Sequence, residues 1–288
     1  MKKVLEVTGG GSAHWVGNGF PVRSLFSYAS HAETLSPFLL MDFAGPAHFN
    51  PATQNRGVGE HPHRGIETVT IVYQGEVSHR DNAGNGGTIG PGDVQWMTAG
   101  GGILHEEYHS ERFTREGGTL HMLQLWVNLP ARDKMTEPGY QAITDADIPA
   151  VPLPDEAGRV RVIAGAFSDK AGPARSHTPM QVWDIQLRAG KQARFSLPDG
   201  WTAGLVVVEG TVQVNDEHIA RQANAVVLDR EGEEILVEAN NEARLLLLSG
   251  EPIDEPVVGR GPFVMNSEAE IEQAINDYRN GRFARITR

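Results

Sequence analysis

One local pattern occurs in both halves of this chain and limits its fold more than any other feature. Glu67-Thr68-Val69-Thr70-Ile71-Val72-Tyr73 is rich in β-branched residues, stops at Gln74-Gly75, and restarts as Gly75-Glu76-Val77-Ser78-His79. Later, Leu205-Val206-Val207-Val208 runs through Glu209-Gly210 into Thr211-Val212-Gln213-Val214. Each copy reads as strand, acid or amide plus glycine, then strand. Further short apolar runs follow: Val94–Met97 and Leu120–Val127 in the first half, Ala225–Leu228, Ile235–Val237 and Leu245–Leu248 in the second. Asp81–Gly87 and Gly90–Asp93 are turns by composition. The 33 glycines and 17 prolines fit many turns between short strands. The expectation is an all-β chain, a barrel or sandwich made twice.

A length of 288 residues leaves room for two domains at ~150 residues each. Pro130, Pro138, Pro149, Pro152 and Pro154 crowd a stretch with no sustained strand pattern. The boundary is therefore expected between Pro130 and Pro154, with domains at 1–135 and 136–288. Near the end, Ser267 and Glu270 form a capping box, and Ile271, Ala274, Ile275 and Tyr278 share one helical face. Gly281 suits the stop. This predicts a C-terminal helix packed on the second barrel.

The net charge of −12 repels phosphate backbones and disfavours direct nucleic-acid binding. The densest basic run, Arg279, Arg282, Arg285 and Arg288, reads as a solvated helix end. The chain has no cysteine, which excludes disulfides, thiolate metal sites, Fe–S clusters and cysteine nucleophiles. Met1-Lys2-Lys3 leads into Glu6, Thr8 and three glycines with no apolar signal region. No stretch approaches the ~18 apolar residues of a membrane span, so a cytoplasmic address is expected. Gly9-Gly10-Gly11-Ser12 lacks the lysine spacing of a phosphate loop and reads as a turn.

The sharpest chemical signal is His61-Pro62-His63. Strand residues two apart point to the same side, so both imidazoles can face one point inside a barrel. Pro62 removes a ladder hydrogen bond and should place this segment at a strand start or a sheet edge. Further on, Gly100-Gly101-Gly102-Ile103-Leu104 precedes His105-Glu106-Glu107. His105 and Glu107 share parity, while Glu106 points away. Two such pairs on neighbouring strands supply three nitrogens and one carboxylate. That donor set suits a divalent metal such as Fe, Mn, Ni, Cu or Zn, with coordination positions left open. His121 alternates with Leu123 and Leu125 and reads as a core histidine. His79 and His109 read as rim or surface residues, and His218 as solvated.

The stretches His61–Val69, Pro91–Gly100, Gly102–Glu107 and Leu123–Pro130, with Lys134-Met135, resemble the pirin family of the cupin superfamily. The resemblance is strong over residues 20–140 and weaker elsewhere. It implies two tandem cupin (jelly-roll) barrels, one metal in the N-terminal barrel, and ligands at His61, His63, His105 and Glu107. Iron comes first among the implied metals, ahead of Mn, Ni, Co, Cu and Zn. The general cupin pattern instead draws its carboxylate from the position of Glu67, whose parity also matches His61 and His63. His109 and Gly100 stand where the general second motif often has asparagine and proline. Ser196 and Pro198 fall at the offsets of the histidine pair in the second copy, with His177 and His218 isolated, so that barrel is expected to hold no metal.

The resemblance further implies a quercetin 2,3-dioxygenase-like enzyme. A flavonol-like substrate and dioxygen would be its reactants, with Glu107 or Glu67 as proton acceptor. The alternative is an iron-dependent, redox-sensing co-regulator that binds other proteins, and a third reading is a cupin isomerase or another dioxygenase. A monomer is expected, because two fused barrels already form a pseudo-dimer.

Overall fold

A computed structural model describes residues 1–283, and strands dominate it. Arg285 and Arg288 of the basic tail lie outside the described residues. Two compact units form: one from Met1–Gly11, His31–Pro37 and Ala146–Ile253, the other from Ser12–Ser30, Phe38–Asp145 and the described residues from Asp254 on. Each holds one seven-stranded and one four-stranded sheet.

The repetition in sequence extends to topology. In the histidine-bearing unit the larger sheet runs Gly139–Ile143, Val94–Thr98, Ile66–Gln74, Gly118–Asn128, Phe38–Phe49, Phe20–Ser27, His14–Val16. The other unit matches it position for position: Val4–Thr8, Ala225–Leu228, Thr202–Glu209, Ala243–Gly250, Met180–Leu187, Gly158–Ala164, Ala150–Pro152. The smaller sheets also correspond. Gly57–His63, Ile103–His109, Val77–Asp81 and Gly86–Ile89 answer to Gln192–Ser196, Glu234–Ala239, Thr211–Val214 and His218–Arg221. Gly75 and Gly210 occupy the same hinge with φ of 85° and 83°, a left-handed backbone that glycine adopts without steric cost. Both units are cupin-like barrels.

The expected division at 1–135 and 136–288 needs correction. Val4–Thr8 pairs with Ala225–Leu228 and so belongs to the C-terminal barrel. The C-terminal helix Glu268–Arg279 belongs to the histidine-bearing unit, where Ile271 and Ala274 pack with Leu104, Phe263 and Met265. In each case a remote segment covers surface that the sequential domain would leave bare. Val4–Thr8 closes the outer edge of Ala225–Leu228, as Gly139–Ile143 does for Val94–Thr98. The capping box forms as expected, with Ser267 Oγ accepting from Glu270 N. Tyr278 departs from the expected buried face and is 41% exposed.

The interior of the C-terminal barrel is hydrocarbon. Trp183, Phe195, Leu205, Val207, Val214 and Val237 form one buried cluster with their neighbours. Phe195 is fully buried. Phe195→Ala should lower the unfolding free energy by about 3–5 kcal/mol, by loss of transfer energy and creation of a cavity. Urea denaturation measures this, and a change under about 1 kcal/mol would contradict a close-packed interior.

Candidate metal centre

Pro62 sits where its chemistry demands. Gly57–His63 is the outermost strand of its sheet, so one missing N–H costs little there. Its neighbour Ile103–His109 runs antiparallel with His61 opposite His105 and His63 opposite Ile103. The register then shifts, so that Glu107 faces Val58. This bulge lies beside the histidines, where extra backbone can re-aim a side chain.

Hydrogen bonds from Arg64, Gly65 and Lys134 tie the histidine strand to the segments around it. Gly65 N donates to Gly100 O at 2.8 Å, and Arg64 Nε donates to Gly101 O at 2.7 Å. Arg64 Nη1 also reaches Asp277 on the C-terminal helix at 2.9 Å. Lys134 Nζ, buried, donates to Gly65 O, Asn128 Oδ1 and Val264 O at 2.8–2.9 Å. Gly65 itself has φ of 80°, and a Cβ there would lie 2.0 Å from Val264 O. Only glycine fits that close approach.

The result is a cluster of three imidazoles whose donor atoms lie within 4.8 Å of one another: His61, His63 and His105. Ring centroids are 5.1 Å apart for His61–His63, 4.2 Å for His61–His105 and 5.0 Å for His63–His105. His63 and His105 are buried, while His61 is half-buried and marks the open side. His61 Nδ1 lies 2.8 Å from Gly59 O, and His63 Nδ1 lies 3.4 Å from Pro262 O. A carbonyl only accepts, so both rings carry the proton on Nδ1 and present the Nε2 lone pair. His105 Nε2 is buried with no hydrogen-bond partner. A buried, unsatisfied nitrogen beside two further lone pairs fits a cation, which removes the desolvation penalty by coordination. Burial, with added repulsion from His61, pushes His63 down to about 3. Burial likewise holds His105 well below its ordinary value, helped by His61, His63 and His79. Both are therefore neutral near pH 7, the state that ligates metal.

Of the two expected carboxylates, Glu107 borders the cluster through His105 and Glu67 does not. Glu107 is buried and falls in a second donor group with His105 and His79, not in the group of His61 and His63. Its Oε1 accepts only long bonds, from Gln95 Nε2 at 3.4 Å and Thr70 Oγ1 at 3.5 Å. Tyr140 donates to Gln95 Oε1 at 3.2 Å. Burial, and the charges of Asp81 and Glu107, push that phenol up to about 12. Glu67, also buried, accepts from Thr98 Oγ1 at 2.8 Å and joins neither donor group. Glu106 points outward and pairs with Arg80.

His79 and His109 need correction, because both are buried rather than at the rim. His79 alternates with Val77 and Asp81 on the inner face of its strand, a parity readable in the sequence. Its Nε2 lies 3.0 Å from Asp81 Oδ2 and its Nδ1 lies 3.3 Å from His105 Nδ1. Burial alone would raise the Asp81 carboxyl, but bonds from His79 and Asn85 outweigh it and hold it below its ordinary value. His109 donates to Gly19 O at 2.8 Å among Phe20, Phe49 and Phe113, a structural role. His121 lies in the core against Phe43 and Tyr73, and His218 is partly exposed beside Glu217. In the C-terminal barrel, Ser196 is exposed and Glu234 is partly exposed, while the register pair Phe195 and Ile235 points into the core.

Two protein-family models match the chain: Pirin over residues 19–127, and Pirin C-terminal cupin domain over residues 182–284. A Pseudomonas aeruginosa protein named "putative quercetin 2,3-dioxygenase" is 62% identical over 285 residues, covering 99% of both chains. Pirin-1 of Arabidopsis thaliana is 41% identical over 257 residues, covering 87% of this chain and 84% of its own. A crystal structure of quercetin 2,3-dioxygenase from Acinetobacter baumannii superposes with a TM-score of 0.97 at 51% identity, covering 100% of both chains.

Acid should expose the strain of these neutral rings in metal-free protein. The folded state keeps His63 unprotonated down to about pH 3, whereas an unfolded histidine takes a proton near 6.5. Between those values the unfolded state binds the extra proton, so stability is full above pH 6.5 and falls as pH drops toward 3. The slope is up to about 1.4 kcal/mol per pH unit for one such group. Denaturant titrations across this window should show a shallower slope for His63→Gln, and an unchanged slope would contradict the assignment.

Proposed function

This chain belongs to the pirin family, and on that footing we propose that it is a metal-dependent dioxygenase cleaving flavonols such as quercetin. The observation that carries the reading is the trio of imidazoles with His61 on the open side and His105 Nε2 unsatisfied. The relatives named for quercetin 2,3-dioxygenase support the substrate class and dioxygen as co-substrate. His61, His63 and His105 would hold the metal, with Glu107 as fourth ligand and iron as the first candidate. The reading includes a cytoplasmic address. No helix among the described residues is long and apolar enough to cross a membrane.

When bound, the metal would supply Lewis acidity to a ligated 3-hydroxyl oxygen and a route for electrons to dioxygen. The remaining work falls to side chains. Glu107 takes the 3-hydroxyl proton on a carboxylate oxygen, since its bonds from Gln95 and Thr70 are long and easily given up. Tyr140 keeps its own proton and, through Gln95, orients Glu107. Glu67, held by Thr98, lies on the face of Ile66–Gln74 opposite to Thr70 and so points away from Glu107. Trp126, edge-on to His63 at 5.1 Å and stacked on Tyr28, gives a flat aromatic surface beside the cluster. Such a surface suits a planar ring system.

Metal-free protein loaded in turn with Fe, Mn, Ni, Co and Cu should, with at least one of them, bleach quercetin absorbance under air and not under argon. Glu107→Gln should lower that rate by roughly 10²–10⁴-fold, the range for loss of a positioned base. No oxygen-dependent loss with any metal would remove the dioxygenase reading.

A further inference from the structure

The tautomers of His61 and His63 are fixed by carbonyl oxygens, but His105 has none at its Nδ1. That nitrogen faces another histidine nitrogen, His79 Nδ1, at 3.3 Å. Two facing ring nitrogens are compatible only if one carries a proton and the other a lone pair. Which one does so decides whether His105 Nε2 can bind a cation at all. We propose that Asp81, acting through His79, sets the tautomer of His105, making Asp81 and His79 positioning residues for the metal centre.

The chain of donors runs one way. Asp81 is spoken for on both oxygens. Oδ1 accepts from Ala83 N at 2.9 Å and Asn85 N at 3.0 Å, Asn85 Nδ2 lies 3.3 Å from each oxygen, and Oδ2 faces His79 Nε2 at 3.0 Å. An ionised carboxylate has no proton to give, so His79 Nε2 is the donor. In neutral His79 the lone pair is then on Nδ1. His105 Nδ1 must donate to it, which leaves the His105 Nε2 lone pair bare, and this is the buried atom without a partner. Tyr140 stacks on His79 with centroids 4.9 Å apart and planes at 16°, so the ring cannot turn away. Both His79 and Asp81 side chains are wholly buried, which keeps water from replacing either link. A carboxylate orienting a metal-bound histidine is a common arrangement. Here it works across an intervening imidazole.

The inference rests on the metal-site reading and is independent of the flavonol substrate. Three variants separate its parts. Asp81→Asn turns the acceptor at Oδ2 into an amide donor, so the proton of His79 moves to Nδ1, donates to His105 Nδ1, and shifts the His105 proton to Nε2. Its affinity for Zn²⁺ or Ni²⁺, measured by chelator competition, should fall by roughly 10–100-fold. His79→Leu, which removes the link but keeps the Asp81 turn, should fall as far. His79→Gln can donate to Asp81 and accept from His105 at once, so it should stay within roughly threefold of the parent, well inside that loss. The imidazole ¹⁵N shifts of the metal-free parent should report a proton on Nδ1 of His105, and those of Asp81→Asn a proton on Nε2. Parent protein with His105 protonated on Nε2 would overturn the proposal whether or not any variant folds. So would parent-like affinity in His79→Leu, or a loss in His79→Gln equal to that in His79→Leu. Failure of the parent itself to bind either ion would instead strike the metal-site reading.

Discussion

The register between Gly57–His63 and Ile103–His109 is the constraint on which the site depends. With His61 opposite His105, and His63 two residues along on the same face, three ring nitrogens meet at one place. A slip of one residue would send the histidine pair to the other face of the sheet. Backbone pairing alone seldom fixes register at an edge strand. Here Arg64 and Gly65 lock the strand to the Gly100-Gly101 turn, and Lys134 ties Gly65 to Val264. Pro262 O, a few residues away on the same C-terminal segment, orients His63. The segment after Asp254 is thus part of the histidine cluster's support.

Duplication makes the cost of that centre visible. Two barrels share one strand order, yet one gathers buried nitrogens and the other gathers hydrocarbon. Burying polar groups without partners is unfavourable, and three imidazoles side by side gain little from one another. An interior filled with groups such as Phe195, Val214 and Val237 carries no such penalty, and that is what the other barrel holds. The unsatisfied His105 Nε2 is the opposite case, a local instability that a bound cation would relieve.

Much of this was legible in the sequence because strand periodicity is strict. Parity alone put His61 with His63, turned Glu106 outward, and paired His105 with Glu107; the proline put its strand at an edge. The repeated hinge at Gly75 and Gly210 carried the duplication. His79 was misread because it was weighed singly, although Val77 and Asp81 flank it with the same parity on an inner strand. The domain limits were not legible at all. Nothing local in Val4–Thr8 says that its partner lies more than two hundred residues away at Ala225–Leu228. Helical periodicity shows that Glu268–Arg279 has an apolar face, but not which barrel that face covers. Glu107 reads equally well from sequence as a fourth ligand and as a neighbour of His79, since parity fixes a side of the sheet and not a distance.

An anomalous-scattering map from crystals of metal-loaded protein, collected at the absorption edge of the loaded metal, tests the central claim most directly. The account predicts one strong peak within ~2.0–2.2 Å of the Nε2 atoms of His61, His63 and His105, and none in the C-terminal barrel. A fully loaded protein whose peak lay away from these three nitrogens would contradict it.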